Sequence, residues 1–157
     1  MDMDQVLVLG IGNLLMGDEG VGVAVVRDLE RRPLPAAVTV VDGGTGGFHL
    51  LSYLTDYNPV VMIDATMDGQ PPGTVSLLEP RYASDFPRSL TAHDIGLRDL
   101  VASAAMLGKL PKVYLITVSI DDMQPMETTL SAAVAAAVPA AAGRVLRLIG
   151  GLLPSER

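Results

Sequence analysis

Three short runs of apolar and β-branched residues, each closed by glycine or aspartate, constrain this chain most. They are Val6-Leu7-Val8-Leu9 before Gly10, Val38-Thr39-Val40-Val41 before Asp42, and Val60-Val61-Met62-Ile63 before Asp64. Runs of this length with almost no polar alternation read as strands buried on both faces, the kind found in parallel sheets. Between them the spacing turns helical. Val21, Val25, Val26 and Leu29 recur on one face until Pro33 stops the helix, and Phe48, Leu51 and Leu54 do the same before Asn58-Pro59. Strands alternating with helices predict an α/β chain whose largely parallel sheet is covered on both sides.

The second half departs from strict alternation. Residues 74–78 follow the turn Pro71-Pro72-Gly73 with no helix before them, which suits an antiparallel edge strand. Residues 81–91 have no clear period and read as a loop. Ile95, Leu97, Leu100, Val101 and Ala104 predict a helix closing near Gly108, and residues 113–118 predict a fifth strand. The C-terminal stretch reads as a helix that Pro139 splits or kinks. No repeat or linker divides the chain, so residues 1–157 are expected to form one domain.

Composition narrows the chemistry. The chain has 157 residues and carries a net charge of −7 with 11 basic residues, which form no patch for nucleic acid. It contains no cysteine, so thiolate metal sites, thiol nucleophiles and disulfides are excluded. Met1-Asp2-Met3-Asp4 is acidic where a signal peptide would be basic. Pro139, Gly143, Arg144 and Arg147 interrupt the greasiest stretch, so no membrane span is expected. A cytoplasmic, soluble chain is the default expectation.

The glycine-rich opening invites two phosphate-binding readings, and both fail. The dinucleotide fingerprint needs its third glycine where Leu15 stands. The phosphate loop aligns at Gly12 and Gly17 but puts Asp18 and Glu19 at its Lys and Ser/Thr positions. Each carboxylate would repel a phosphate by about 4 kcal/mol per unit charge pair at 4 Å, at an effective dielectric near 20. Serine-nucleophile elbows and H-E-x-x-H pairs are absent from the sequence.

Carboxylates at strand ends are the stronger signal. Glu19 follows strand one, Asp42 strand two and Asp64 strand three, at the edge where open α/β sheets bind ligands. Like charges brought together call for a raised pKa or a cation. His93, just before a predicted helix, can supply a nitrogen, and the set then suits Ni, Zn, Mn or Fe. Ordinary alternatives stand beside this: Asp18 as a helix cap, Glu19 complementing the helix dipole, each Asp in an Asx turn, and His93 as a surface residue. His49 beside Phe48 reads as structural. Met16 and Met123-Gln124-Pro125-Met126 read either as a recognition surface or as loop and core filler.

The opening Val8-Leu9-Gly10-Ile11-Gly12-Asn13-Leu14-Leu15-Met16-Gly17-Asp18-Glu19-Gly20-Val21-Gly22 resembles the signature of the hydrogenase maturation endopeptidases. These enzymes trim the C-terminus of the large subunit of nickel–iron hydrogenases. Asp42-Gly43-Gly44-Thr45, Ile63-Asp64-Ala65, His93-Asp94-Ile95-Gly96-Leu97 and Leu130-Ser131-Ala132-Ala133-Val134 agree in order. The resemblance implies a five-stranded twisted sheet between helices, with one strand antiparallel. It also implies metal contacts from Glu19, Asp64 and His93, and makes Asp42 a candidate for substrate positioning or catalysis. The implied metal is nickel supplied by the hydrogenase large-subunit precursor, with another divalent metal able to occupy the site in isolation. The enzyme is expected to act as a monomer. A non-catalytic nickel-sensing module for the same precursor is the alternative. One departure from the family is residues 121–129, where members often carry a glycine-rich stretch.

Overall fold

The structure, a computed structural model, describes residues 5–45, 47–87 and 97–153. Five strands, β1 (Val6–Gly10), β2 (Val38–Asp42), β3 (Val60–Thr66), β4 (Val75–Leu78) and β5 (Val113–Ser119), form one sheet in the order β2-β1-β3-β5-β4. The pairs β1–β2, β1–β3 and β3–β5 are parallel, and β4 runs antiparallel to β5 at the edge. The helices are α1 (Val21–Glu30), α2 (Leu51–Asp56), α3 (Leu97–Met106) and α4 (Ala132–Leu152), and a 3₁₀ turn at Gly17–Gly20 precedes α1.

Strand alternation sorts the core into two halves. Val6, Val8, Val61, Ile63, Ile116 and Val118 pack with α1 and α4, whereas Leu7, Leu9, Val60, Met62, Val113 and Leu115 pack with α2 and α3. This gives three layers, helix, sheet and helix, as the apolar runs predict. β1 is buried throughout, which explains its lack of polar alternation.

Two elements differ from expectation. β3 does not stop at Asp64 but continues to Thr66, because Asp64, Ala65 and Thr66 pair with Thr117, Val118 and Ser119 of β5. The C-terminal helix is not split: α4 runs 21 residues with Pro139 inside it. Pro139 and Ala135 are both exposed, so the carbonyl that loses its helical partner faces water. By length and hydropathy α4 therefore does qualify as a possible span, against the expectation from its interruptions. Its apolar stripe, Val134, Ala137, Ala141, Ala142, Val145 and Ile149, is used instead to cover the sheet beside α1.

The approach of α1 to the sheet has little tolerance. A Cβ added at Gly22 would lie 2.3 Å from the Ile11 carbonyl oxygen and 2.4 Å from that of Ile63. Both are backbone atoms of the sheet edge, so neither can yield locally. Gly22→Ala is expected to destabilise the domain by about 2–3 kcal/mol or more in urea unfolding. Gly150→Ala, where a Cβ meets nothing within 4 Å, is the control. There the better helix former should add about 0.8 kcal/mol.

Candidate metal centre

The C-terminal edge of the parallel strands carries the acidic residues, and the opening loop is fastened to it by backbone bonds. Ile11 N–H donates to the Ile63 carbonyl at 2.9 Å, Gly43 N–H to that of Gly10 at 2.8 Å, and Gly12 N–H to that of Gly44 at 2.7 Å. The chain then turns through the 3₁₀ segment Gly17–Gly20, which packs directly on β3. Glu19 sits in this turn and is only 6% exposed, although charged. Its Oε2 accepts the Asn13 N–H, and a Cβ on Gly12 would lie 2.5 Å from the Glu19 carbonyl oxygen. Loop and turn are thus packed backbone against backbone.

Asp64 extends one residue beyond the last β1–β3 pair, Gly10 with Ile63, and is half-buried. Its Oδ1 accepts the Ala65 N–H at 2.8 Å. The turn bearing Glu19 and the strand bearing Asp64 are therefore in contact at one edge, and both present carboxylate oxygen. Such oxygens suit a divalent cation, with a nitrogen donor to complete a borderline set. Leu97, the first residue of α3, is buried in the core half formed with α2. His93 lies outside the described residues. Among the described residues no group of three or more His, Cys, Asp or Glu is arranged to hold a metal.

Asp42 is placed differently. It pairs with Gly10 at the end of β2, so strand spacing puts its backbone about 10 Å from the β3 end, two strands away. Alternation also turns it to the other face: Val38 and Val40 pack on the α1–α4 side, and Asp42 follows their parity, whereas Asp64 follows Val60 and Met62. On that side Asp42 Oδ2 stands 4.0 Å from Arg27 of α1, and Oδ1 accepts the Gly44 N–H at 2.9 Å in an Asx turn. The turn bearing Glu19 packs on β3, the strand that carries Asp64, whereas Asp42 ends β2. His49 is exposed in the turn before α2.

Asp18 is not the cap of α1. The cap position is Gly20, with no side-chain bond, and the buried Asp18 carboxylate reaches a distant segment instead. Its Oδ1 accepts the N–H of Ser131, the cap residue just before α4, at 2.7 Å, and Oδ2 accepts from Gln124 Nε2 at 3.4 Å. Residues 122–131 in turn lie along the opening loop, with Met16 bridged to Glu127. The Glu127 carboxyl is held below its usual range by the Thr129 hydroxyl, which donates to Oε1 at 2.7 Å, and further by the Thr129 N–H at 3.0 Å. Neighbouring Met126 is 90% exposed with φ at 62°, a left-handed conformation that non-glycine residues rarely adopt. Leu15 and Met67 are exposed at the same edge, so apolar surface borders the acidic site. Met123 instead packs against the core.

Residues 23–148 match the family model described as hydrogenase maturation protease. A HupD hydrogenase expression/formation protein of Bradyrhizobium diazoefficiens is 37% identical over 114 residues, covering 69% of this chain and 58% of its own length. The chain thus spans little more than half of that relative. The hydrogenase 2 maturation protease of Escherichia coli is 34% identical over 77% of this chain and 76% of its own. The solved structure of the hydrogenase maturating endopeptidase HybD from E. coli superimposes with a TM-score of 0.84 at 32% identity, covering 94% of this chain and 93% of that one. The chain belongs to the hydrogenase maturation protease family.

Proposed function

We propose that this chain is an endopeptidase that removes the C-terminal peptide from the large-subunit precursor of a nickel–iron hydrogenase, and that it recognises nickel already bound in the precursor. The observation that carries this, beyond family membership, is the contact between the turn bearing Glu19 and the strand bearing Asp64. The Glu19 and Asp64 carboxylates, joined by the imidazole of His93, would supply three donors and leave positions open for ligands from the precursor. Nickel enters as part of the substrate, so a precursor without it offers the donors nothing to hold and is not cut.

Hydrolysis needs a water oxygen to attack the scissile carbonyl carbon, the C–N bond to break, and the departing amine to gain a proton. A cation beside the carbonyl oxygen polarises it and stabilises the developing charge. Glu19 and Asp64 hold that cation against the edge, and burial of Glu19 strengthens the interaction by excluding water. Asp42, paired with Arg27 on the other face, is better placed to position substrate than to supply the base. The site works in the cytoplasm, where the precursor is made, and on a monomer of this chain.

Cleavage of nickel-loaded precursor, followed by mass spectrometry of the released peptide, tests this. Glu19→Gln, Asp64→Asn and His93→Ala are each expected to lower the rate by at least about 100-fold, and Asp42→Asn by distinctly less. Full activity in the first three would end the proposal. Precursor that binds yet keeps its C-terminal peptide would leave the non-catalytic nickel-sensing module instead. Nickel-free precursor should stay whole.

The exposed Met126 gives a second test. Glycine adopts its left-handed backbone without the Cβ penalty, so Met126→Gly is expected to raise stability by about 0.5–1 kcal/mol. The lost apolar contact with the precursor should meanwhile raise KM several-fold with little change in kcat. A more stable variant with an unchanged KM would remove Met126 from the contact surface.

A further inference from the structure

Three backbone groups just before Glu19 are held by one other segment. Gln124 N–H donates to the Met16 carbonyl at 3.2 Å, and Gly17 N–H donates to the Glu127 carbonyl at 2.8 Å. Asp18 N–H donates to Gln124 Oε1 at 2.8 Å. The Glu19 N–H itself donates to the Met16 carbonyl at 3.3 Å. The Gln124 side chain is the centre of this arrangement. Besides accepting from Asp18 N–H, its Nε2 donates to Asp18 Oδ2 at 3.4 Å and to the Asp122 carbonyl at 2.9 Å. A Cβ at Gly17, where φ is 59°, would lie 2.2 Å from Gln124 Oε1, so the amide closes over a loop that has room only for glycine.

The chemistry of this clamp is specific to an amide. One end must accept from a backbone N–H while the other donates to a carboxylate, which neither Glu nor Lys can do. A carboxylate at position 124 would face Asp18 across 3.4 Å, a like-charge contact in a half-buried site. Because Asp18 is buried and adjoins Glu19, its displacement is transmitted directly to the carboxylate at the sheet edge.

We propose that Gln124 is a positioning residue for the nickel site, which sets the Glu19 carboxylate by clamping Met16, Gly17 and Asp18. This rests on Glu19 being a nickel donor, as proposed above. Partners that orient a metal ligand typically change affinity or activity 10–100-fold when lost.

The test compares Gln124→Leu, Gln124→Glu and the double variant Asp18→Asn/Gln124→Glu in the full chain. It measures kcat and KM on nickel-loaded precursor, and affinity for nickel chloride by calorimetry. Both single variants are expected to lower kcat/KM about 10-fold or more, and to weaken nickel binding to a similar degree. The double variant exchanges amide and carboxylate, so the side chain at position 18 donates where the Asp18 carboxylate accepted; the 18–124 contact is restored while the bond to the Asp122 carbonyl stays lost, and part of the loss should be recovered. A purely structural role would lower thermal stability in all variants without that recovery. Should Gln124→Leu fail to fold, Gln124→Glu against the double variant decides. Wild-type kcat/KM and nickel affinity in Gln124→Glu, beside a sharp loss in Glu19→Gln, would overturn the clamp and leave the proposed function intact. An unaffected Glu19→Gln would overturn both.

Discussion

The close approach of α1 to the ends of β1 and β3 is the constraint on which the rest depends. Gly22 rests against the carbonyl oxygens of Ile11 and Ile63, and Gly10 lies against the Gly22 carbonyl, so neither contact admits a side chain. That proximity forces the chain between β1 and α1 to fold over the sheet edge rather than swing away from it. Glu19 is carried there as a consequence. The glycine spacing thus serves packing of backbone on backbone, as in nucleotide-binding turns, while the residues it delivers are acidic and suit a cation instead of a phosphate.

Burial on both faces removes polar alternation, and β1 and the start of β3 show it, whereas β2, only partly buried at the sheet edge, was legible from its β-branched run alone. The antiparallel edge strand was legible from the missing helix before it. The end of β3 was not: Ala65 and Thr66 belong to the strand only because β5 extends alongside them, and pairing of that kind leaves no local mark. Pro139 left a split or a kink open, and only the split is excluded by the unbroken α4. The cost of a proline inside a helix depends on whether the orphaned carbonyl can reach water, which is a matter of which face it occupies.

Residue types at strand ends pointed to the C-terminal edge of the sheet, but edge position alone could not distinguish faces. Asp42 and Asp64 look equivalent in sequence, and the alternation of side chains sends them to opposite sides of the sheet. Asp18 was harder still. Next to a helix start an aspartate reads as a cap, and its actual partners, Gln124 and Ser131, lie 106 and 113 positions away. No pattern within the opening loop could have revealed them. Gln124 was visible only as one member of a methionine-containing stretch.

Residues 122–131 join two properties that would otherwise be separate. The stretch displays Met126 to solvent in a strained conformation, and its next residue, Glu127, bonds to Gly17 while Gln124 bonds to Asp18. Strain of this sort persists only where surrounding contacts hold it, and here those contacts are the ones that fix the opening loop. A polypeptide pressing on Met126 therefore bears on a segment one residue away from the bonds that place Glu19. Met126 and the bonds that place the opening loop thus lie on one short segment, so under the proposed function contact with a partner there and placement of the Glu19 carboxylate would be coupled.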